Sequence, residues 1–229
     1  MLELSEYQNK GLVWYGCNSR EQIKRIPSGF NEVDQALQGG FPEQGIIELK
    51  TAFGVGELRL MTPFLSAKQN AGQLVFVAPP IQLNAEYLMA NHINVDKVLL
   101  LTPTSEEQSL WATEQCLSSG CCSAVVLWQD SLSIKQIRRL MLACEQGGAS
   151  LILFRYQKAQ PLFSLPSTVS LSITSHAKGI QLKVDKQKGG RATDYFTVDM
   201  SEWWPELISR DKPVMANDNV VAFPRAAGH

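Results

Sequence analysis

Between an apolar strand pattern at Ile46, Ile47 and Leu49 and a helical pattern through Leu58, Met61 and Leu65 lies the turn Thr51-Ala52-Phe53-Gly54-Val55-Gly56-Glu57. A strand that passes through glycines straight into a helix demands a sheet to bury the strand and a helix packed back on it, so α/β folds come first. The same local design, written G-x-x-x-x-G-K-[ST], is a phosphate loop. Its backbone N–H groups cradle phosphates, its Lys neutralises them and its hydroxyl holds magnesium. This chain keeps Gly56, but Glu57 stands where the Lys belongs and Leu58 where the hydroxyl belongs. A carboxylate repels the β- and γ-phosphates, and Leu58 offers a cation no oxygen. The expectation is a nucleotide-binding scaffold with no cofactor, no metal and no catalytic group.

The rest of the chain supports that scaffold. Ser28 reads as the N-cap of a short helix carrying Phe30, Val33, Ala36 and Leu37, ended by Gly39-Gly40. Pro63 predicts a kink or a late start in the helix after the loop. Four short apolar runs, Leu74–Ala78, Val98–Leu101, Ala124–Trp128 and Leu151–Phe154, read as strands buried on both faces. Helical segments separate them, near Leu83–Asn91 and after capping boxes at Ser105–Gln108 and Ser133–Gln136. This alternation predicts a mostly parallel sheet flanked by helices. After Tyr156 the pattern turns to alternation (Val169, Leu171, Ile173; Ile180, Leu182, Val184), which predicts antiparallel strands at the sheet edge, joined at Ala177-Lys178-Gly179. Tyr195, Phe196 and Val198 suit one more strand, and Trp203-Trp204-Pro205 closes the ordered part. The expected organisation is an N-terminal segment (1–26), a core (27–205) and a flexible tail (206–229).

At 229 residues with 45% hydrophobic and 19% charged content, the chain is long enough for a substantial core. A net charge of −1 argues against a wholesale electrostatic partner and leaves local patches open. No apolar run approaches the ~20 residues that span a bilayer, and the N-terminus lacks a signal pattern, so the expected location is the cytoplasm. The five cysteines, at 17, 116, 121, 122 and 144, include no C-x-x-C pair, which predicts reduced thiols.

The order of the pieces resembles the RecA ATPase core: Ser28-Gly29-Phe30, Val33-Asp34, Gly39-Gly40-Phe41-Pro42, Gly45 and Glu48-Leu49 look like the lead-in to that family's phosphate loop. Ser119-Gly120 before one strand and Phe154-Arg155-Tyr156-Gln157 after the next keep the same sequence of parts. More specifically the chain is similar to the ImuA family of RecA-like accessory proteins of bacterial SOS mutagenesis. That resemblance is carried by Val13-Trp14-Tyr15-Gly16, Pro27-Ser28-Gly29-Phe30, Gly54-Val55-Gly56-Glu57-Leu58, Ala78-Pro79-Pro80, Leu110-Trp111-Ala112-Thr113-Glu114-Gln115 and Lys186-Gln187-Lys188-Gly189-Gly190. Gln73 to about His176 also resembles SulA, the SOS inhibitor of FtsZ polymerisation. Against the RecA pattern three stations are lost: Glu57 and Leu58 in the loop, Pro80 near the catalytic Glu position, and Trp128 or Gln129 at the second metal carboxylate, with Asp130 slightly late. The resemblance therefore implies a RecA-like fold that is not an enzyme.

What the ImuA resemblance implies is an SOS accessory role in translesion synthesis, with an ImuB-type protein, an error-prone DnaE-type polymerase subunit and RecA as partners. The SulA resemblance implies FtsZ instead. The densest basic stretch, Lys183, Lys186, Lys188 and Arg191, is a candidate contact for a partner's acidic surface or for weak, sequence-independent DNA binding; a solvated hairpin edge accounts for it equally. Val220, Val221 and Phe223 form an apolar island in the tail, readable as a docking peptide or as a degradation signal. Trp14 reads either as packing for the N-terminal segment or as a partner anchor.

Overall fold

The computed structural model describes residues 23–156 and 165–205. In chain order the elements are β1 (Arg25–Ile26), α1 (Asn31–Ala36), β2 (Phe41–Pro42), β3 (Gly45–Thr51), α2 (Glu57–Lys68), β4 (Gln73–Val77), α3 (Ala85–Ala90), a 3-10 turn (Val95–Lys97) and β5 (Val98–Leu101). Then come α4 (Glu106–Ser118), β6 (Cys122–Trp128), α5 (Ile134–Gly147), β7 (Ser150–Tyr156), β8 (Val169–His176), β9 (Gly179–Gln187) and β10 (Phe196–Asp199). Eight strands make one sheet in the order β5-β4-β6-β7-β3-β8-β9-β10, and β1 pairs separately with β2. All pairings from β5 to β8 are parallel, while β9 runs antiparallel to both β8 and β10. The fold is the expected α/β class. One detail differs: β8 continues the parallel sheet beside β3, and β9 is the strand that reverses.

The apolar runs are continuous because both faces of the sheet are covered. Successive side chains alternate between faces, so Ile47, Phe76, Val126 and Ile152 join one cluster with Leu60, Met61 and Phe64 of α2. Ile46, Val75, Val125 and Leu151 join the other, with Leu117 of α4 and Ile137, Leu140 and Cys144 of α5. β5 departs from the expectation. It lies at the sheet edge, with Leu99 46% and Leu100 43% exposed. An apolar run marks a strand but carries no information on whether a second neighbour exists.

Local chemistry corrects three further expectations. Ser28 is not the N-cap of α1; Phe30 is, without a side-chain cap. Ser28 instead accepts from the Phe30 N–H at 3.1 Å, while Asp34 accepts from the Ser28 N–H at 2.7 Å. Ser105 caps α4 by accepting from Gln108 N–H, but the Gln108 carbonyl turns to Thr104, so the box is half formed; the box at Ser133 is complete. α2 starts at Glu57 and runs through Pro63 with no late start. Pro63 packs over Gly29, whose φ is +87° and where a Cβ would stand 2.8 Å from the Pro63 Cβ. The described cysteines, Cys116, Cys121, Cys122 and Cys144, are free thiols.

Candidate functional site

β3 ends at Thr51, at the carboxyl edge of the parallel strands, and the glycine turn leads from there into α2. Gly56, in the left-handed region at φ +108°, is the N-cap of α2 and has no side chain to offer the free amides of the first turn. Glu57 supplies one. Its Oε1 accepts from the Gly54 N–H at 3.1 Å and its Oε2 from the Gly56 N–H at 3.0 Å. The side chain is buried, at 6% exposure. A carboxylate fixed by two backbone amides at a helix N-terminus is the arrangement by which such loops hold phosphate, with the anion built into the chain. Glu57 thus does more than repel a triphosphate: it occupies the amides that would hold one.

The surroundings match. Leu58 is half-buried against the core. Phe53 crosses the end of the loop and meets Tyr156 edge to face, centroids 5.6 Å apart at 81°. Burial, with the nearby charges of Glu57 and Asp130, raises the Tyr156 phenol well above its ordinary range. Trp128 stacks between Phe76 and Phe154, with centroids 6.3 and 5.1 Å away. Asp130 accepts from the Tyr156 N–H at 2.7 Å and its carbonyl accepts from Arg155 Nε at 3.2 Å, which ties this late carboxylate to β7. Pro80 is exposed and lines, with Ile81, Leu83 and Trp128, a groove of about 330 Å³ beside the loop. Among the described residues no cluster of His, Cys, Asp and Glu is arranged to hold a metal ion.

Sequence reasoning missed two features. Arg59 places its guanidinium carbon 5.9 Å from the ring centroids of both Tyr87 and Trp204, a planar cation between two aromatic groups. Glu48 and Arg155, on adjacent parallel strands, form a buried ion pair at 2.5 Å, with Ser167 Oγ donating to the second Glu48 oxygen at 3.4 Å. Charged residues inside apolar strand patterns (Glu48 after Ile46-Ile47, Arg155 after Leu153-Phe154) were the available signal.

The basic stretch does not converge on one patch. Lys183 lies 3.8 Å from Asp185 and 5.8 Å from the Tyr195 ring, and Asp185 is also held by Lys50 at 2.9 Å and Ser172 at 2.6 Å. Lys186 donates to the Leu165 carbonyl at 3.5 Å and, with Lys188, lines a separate cleft that also contains Lys24, Glu43 and Glu145. Arg191 is exposed, and its carbonyl accepts from Gln187. Val220, Val221 and Phe223, like Trp14, lie outside the described residues.

Strand order, the glycine turn into α2 and the self-filled amides define a phosphate-loop α/β scaffold closed by its own side chain. The RecA N-terminal domain model matches residues 3–139, more than half of the chain, and the chain belongs to that family. It is 28% identical to Protein RecA of Streptomyces ambofaciens over 178 residues (76% of this chain, 47% of that protein). It is 27% identical to Protein RecA of Levilactobacillus brevis over 224 residues (93% and 59%). The chain thus spans about half to three fifths of the length of these relatives. Among solved structures it is similar to SulA from Pseudomonas aeruginosa, at 26% identity and a TM-score of 0.42, covering 48% of this chain and 98% of that one. No helix among the described residues is long and apolar enough to cross a membrane.

Proposed function

We propose that this chain is a non-catalytic accessory protein of the SOS response, of the ImuA type. It supports error-prone translesion synthesis by holding an ImuB-type protein, a DnaE-type polymerase subunit and RecA together in the cytoplasm. The observation that carries the reading is the Glu57 carboxylate bonded to the Gly54 and Gly56 amides. A scaffold that satisfies its own phosphate cradle needs no nucleotide to order the loop, so its surfaces are available without an ATP cycle. The motif order quoted above, from Val13-Trp14 to Lys186-Gln187-Lys188, favours the ImuA type over other RecA-like proteins.

The test is capture of an ImuB-type protein by the purified full chain, with and without residues 209–229, beside an ATPase assay at millimolar Mg²⁺. Retention of the partner without phosphate release is expected. Failure to capture it, or turnover that Glu57→Ala abolishes, overturns the reading. A SulA-type inhibitor of FtsZ assembly is the alternative, favoured by the resemblance of residues 73–176; filamentous cells on overexpression and slowed FtsZ assembly would select it.

A further inference from the structure

Three cysteines, Cys116, Cys121 and Cys122, crowd the place where α4 ends and β6 begins. Gly120, at φ +72°, reverses the chain there, in the left-handed region that glycine tolerates. The Gln73 N–H then bonds the Cys121 carbonyl at 3.0 Å and fixes the return onto the sheet. Ser119 ties the turn together. Its hydroxyl oxygen accepts from the Cys121 N–H at 3.1 Å and lies 2.8 Å from the Cys116 carbonyl oxygen and 3.7 Å from Cys122 Sγ, so its one proton serves either.

Cys116 and Cys122 pack into the same apolar cluster as Leu117 and Leu140, while Cys121 is exposed. The Cys116 and Cys122 side chains bond to each other. That contact lowers the Cys122 thiol against the opposing effect of burial, with help from the Ser119 hydroxyl; the same contact, together with burial, raises Cys116. A nucleophilic thiolate therefore faces a thiol that keeps its proton. Cys144 lacks such a setting: it is fully buried, and burial pushes its thiol up to about 12.

We propose that Cys122 and Cys116 form an oxidation site for small peroxides and close into a disulfide across the turn. Cys122 attacks as the thiolate and takes one oxygen to become a sulfenic acid, while the O–O bond breaks and hydroxide leaves. The Cys116 sulfur then gives up its proton and attacks the Cys122 sulfur; the S–S bond forms, the S–O bond breaks and water leaves. Counting the proton that Cys122 gave up, two thiols and hydrogen peroxide become one disulfide and two waters. Sulfur loses the two electrons that the peroxide gains. The site lies at the amino edge of the parallel strands, away from the glycine loop at their carboxyl edge, and it is independent of the proposed partner role.

The experiment treats the full chain carrying Cys121→Ser with hydrogen peroxide, quenches with an alkylating agent and follows the tryptic peptide 98–135 by mass spectrometry. Expected is an unalkylated peptide lighter by two hydrogens, restored by dithiothreitol and formed at least ten-fold faster in the folded chain than in guanidinium chloride. Adding Cys116→Ser should abolish that form and leave a sulfenic acid on Cys122 that dimedone traps. A folded Cys121→Ser chain that keeps both thiols under peroxide would overturn the proposal. Equal rates in the folded and unfolded chains would do the same, as would a folded Cys116→Ser/Cys121→Ser chain without the dimedone adduct. Cys121 is exposed, so the folded-against-unfolded comparison in Cys121→Ser decides the question even where Cys116→Ser unfolds.

Discussion

Two buried carboxylates in this fold meet the same electrostatic problem with different partners. Glu48, fully buried in β3, faces a guanidinium one strand away; Glu57, just past the end of the same strand, faces two peptide amides. The first pair ties β3 to β7 across the sheet and leaves a full charge on each side. The second involves no countercharge at all, only N–H groups that a helix start leaves free. Removing Arg155 strands the Glu48 charge in apolar surroundings, whereas removing the carboxylate from the loop leaves amides that water can reach, since Gly54 is exposed and Gly56 half-exposed.

The largest effect belongs to the ion pair. Arg155→Met should destabilise the fold by about 3–5 kcal/mol, because Glu48 is left charged and buried, and Glu48→Leu should cost less, because Arg155 keeps its bond to the Asp130 carbonyl. The double variant should lose less than Arg155→Met alone, as apolar replacements of similar volume often restore stability. Urea unfolding followed by circular dichroism measures all three. If the double variant proved the least stable, the pair would be worth more than its desolvation cost and the contrast with Glu57 would fail.

Glu57→Ala comes next, at about 1 kcal/mol, the usual net value of hydrogen bonds whose donors can turn to water. It sharpens the contrast in another way: with the internal anion gone, added sulfate should raise the Tm of Glu57→Ala more than that of the parent chain, since the loop amides again accept an outside anion. Equal response of the two proteins would show that the carboxylate does not fill the cradle.

How much of this was legible in the residues follows from the kind of information each feature needs. The sheet and its order of strands and helices were readable because Leu74–Ala78, Ala124–Trp128 and Leu151–Phe154 alternate with capped helical segments, and each pattern is local. The exposure of Leu99 and Leu100 was not, because an edge is a property of what lies beside a strand. In the loop, the substitution at Glu57 declared that a phosphate is unwelcome, but the turn that folds its carboxylate back onto Gly54 and Gly56 depends on the backbone. The slot around Arg59 joins residues 59, 87 and 204, and no spacing rule links these. The basic run Lys183–Arg191 is contiguous in sequence, but its cations have separate partners, Lys183 at Asp185 and Tyr195 and Lys186 at the Leu165 carbonyl.

Ser133 tests the amide side of the contrast with a neutral group. It caps α5 through a complete capping box, accepting from the Gln136 N–H while the Gln136 carbonyl accepts from the Ser133 N–H at 2.8 Å. Ser133→Ala should cost about 1 kcal/mol, comparable to Glu57→Ala, and it should show no sulfate response. The comparison separates filling a helix start from filling it with charge.

The smallest effect is expected at the divided basic stretch. Lys186 and Lys188 line a cleft already supplied with Glu43 and Glu145, and Lys183 is engaged by Asp185 and Tyr195. Exposed charges so placed contribute within about 0.5 kcal/mol of nothing. Lys186→Glu/Lys188→Glu should therefore leave the unfolding midpoint unchanged. Nucleic-acid affinity needs several cations tracking one backbone, and here Lys186 and Lys188 share a cleft with two acids while Lys183 is held at Asp185. Retention of single-stranded DNA at about 0.15 M salt, where the Debye length is about 8 Å, should accordingly not differ between the variant and the parent chain. A variant that lost DNA retention would mean that the cleft cations act together despite their acidic neighbours, and the basic run would again count as a single surface.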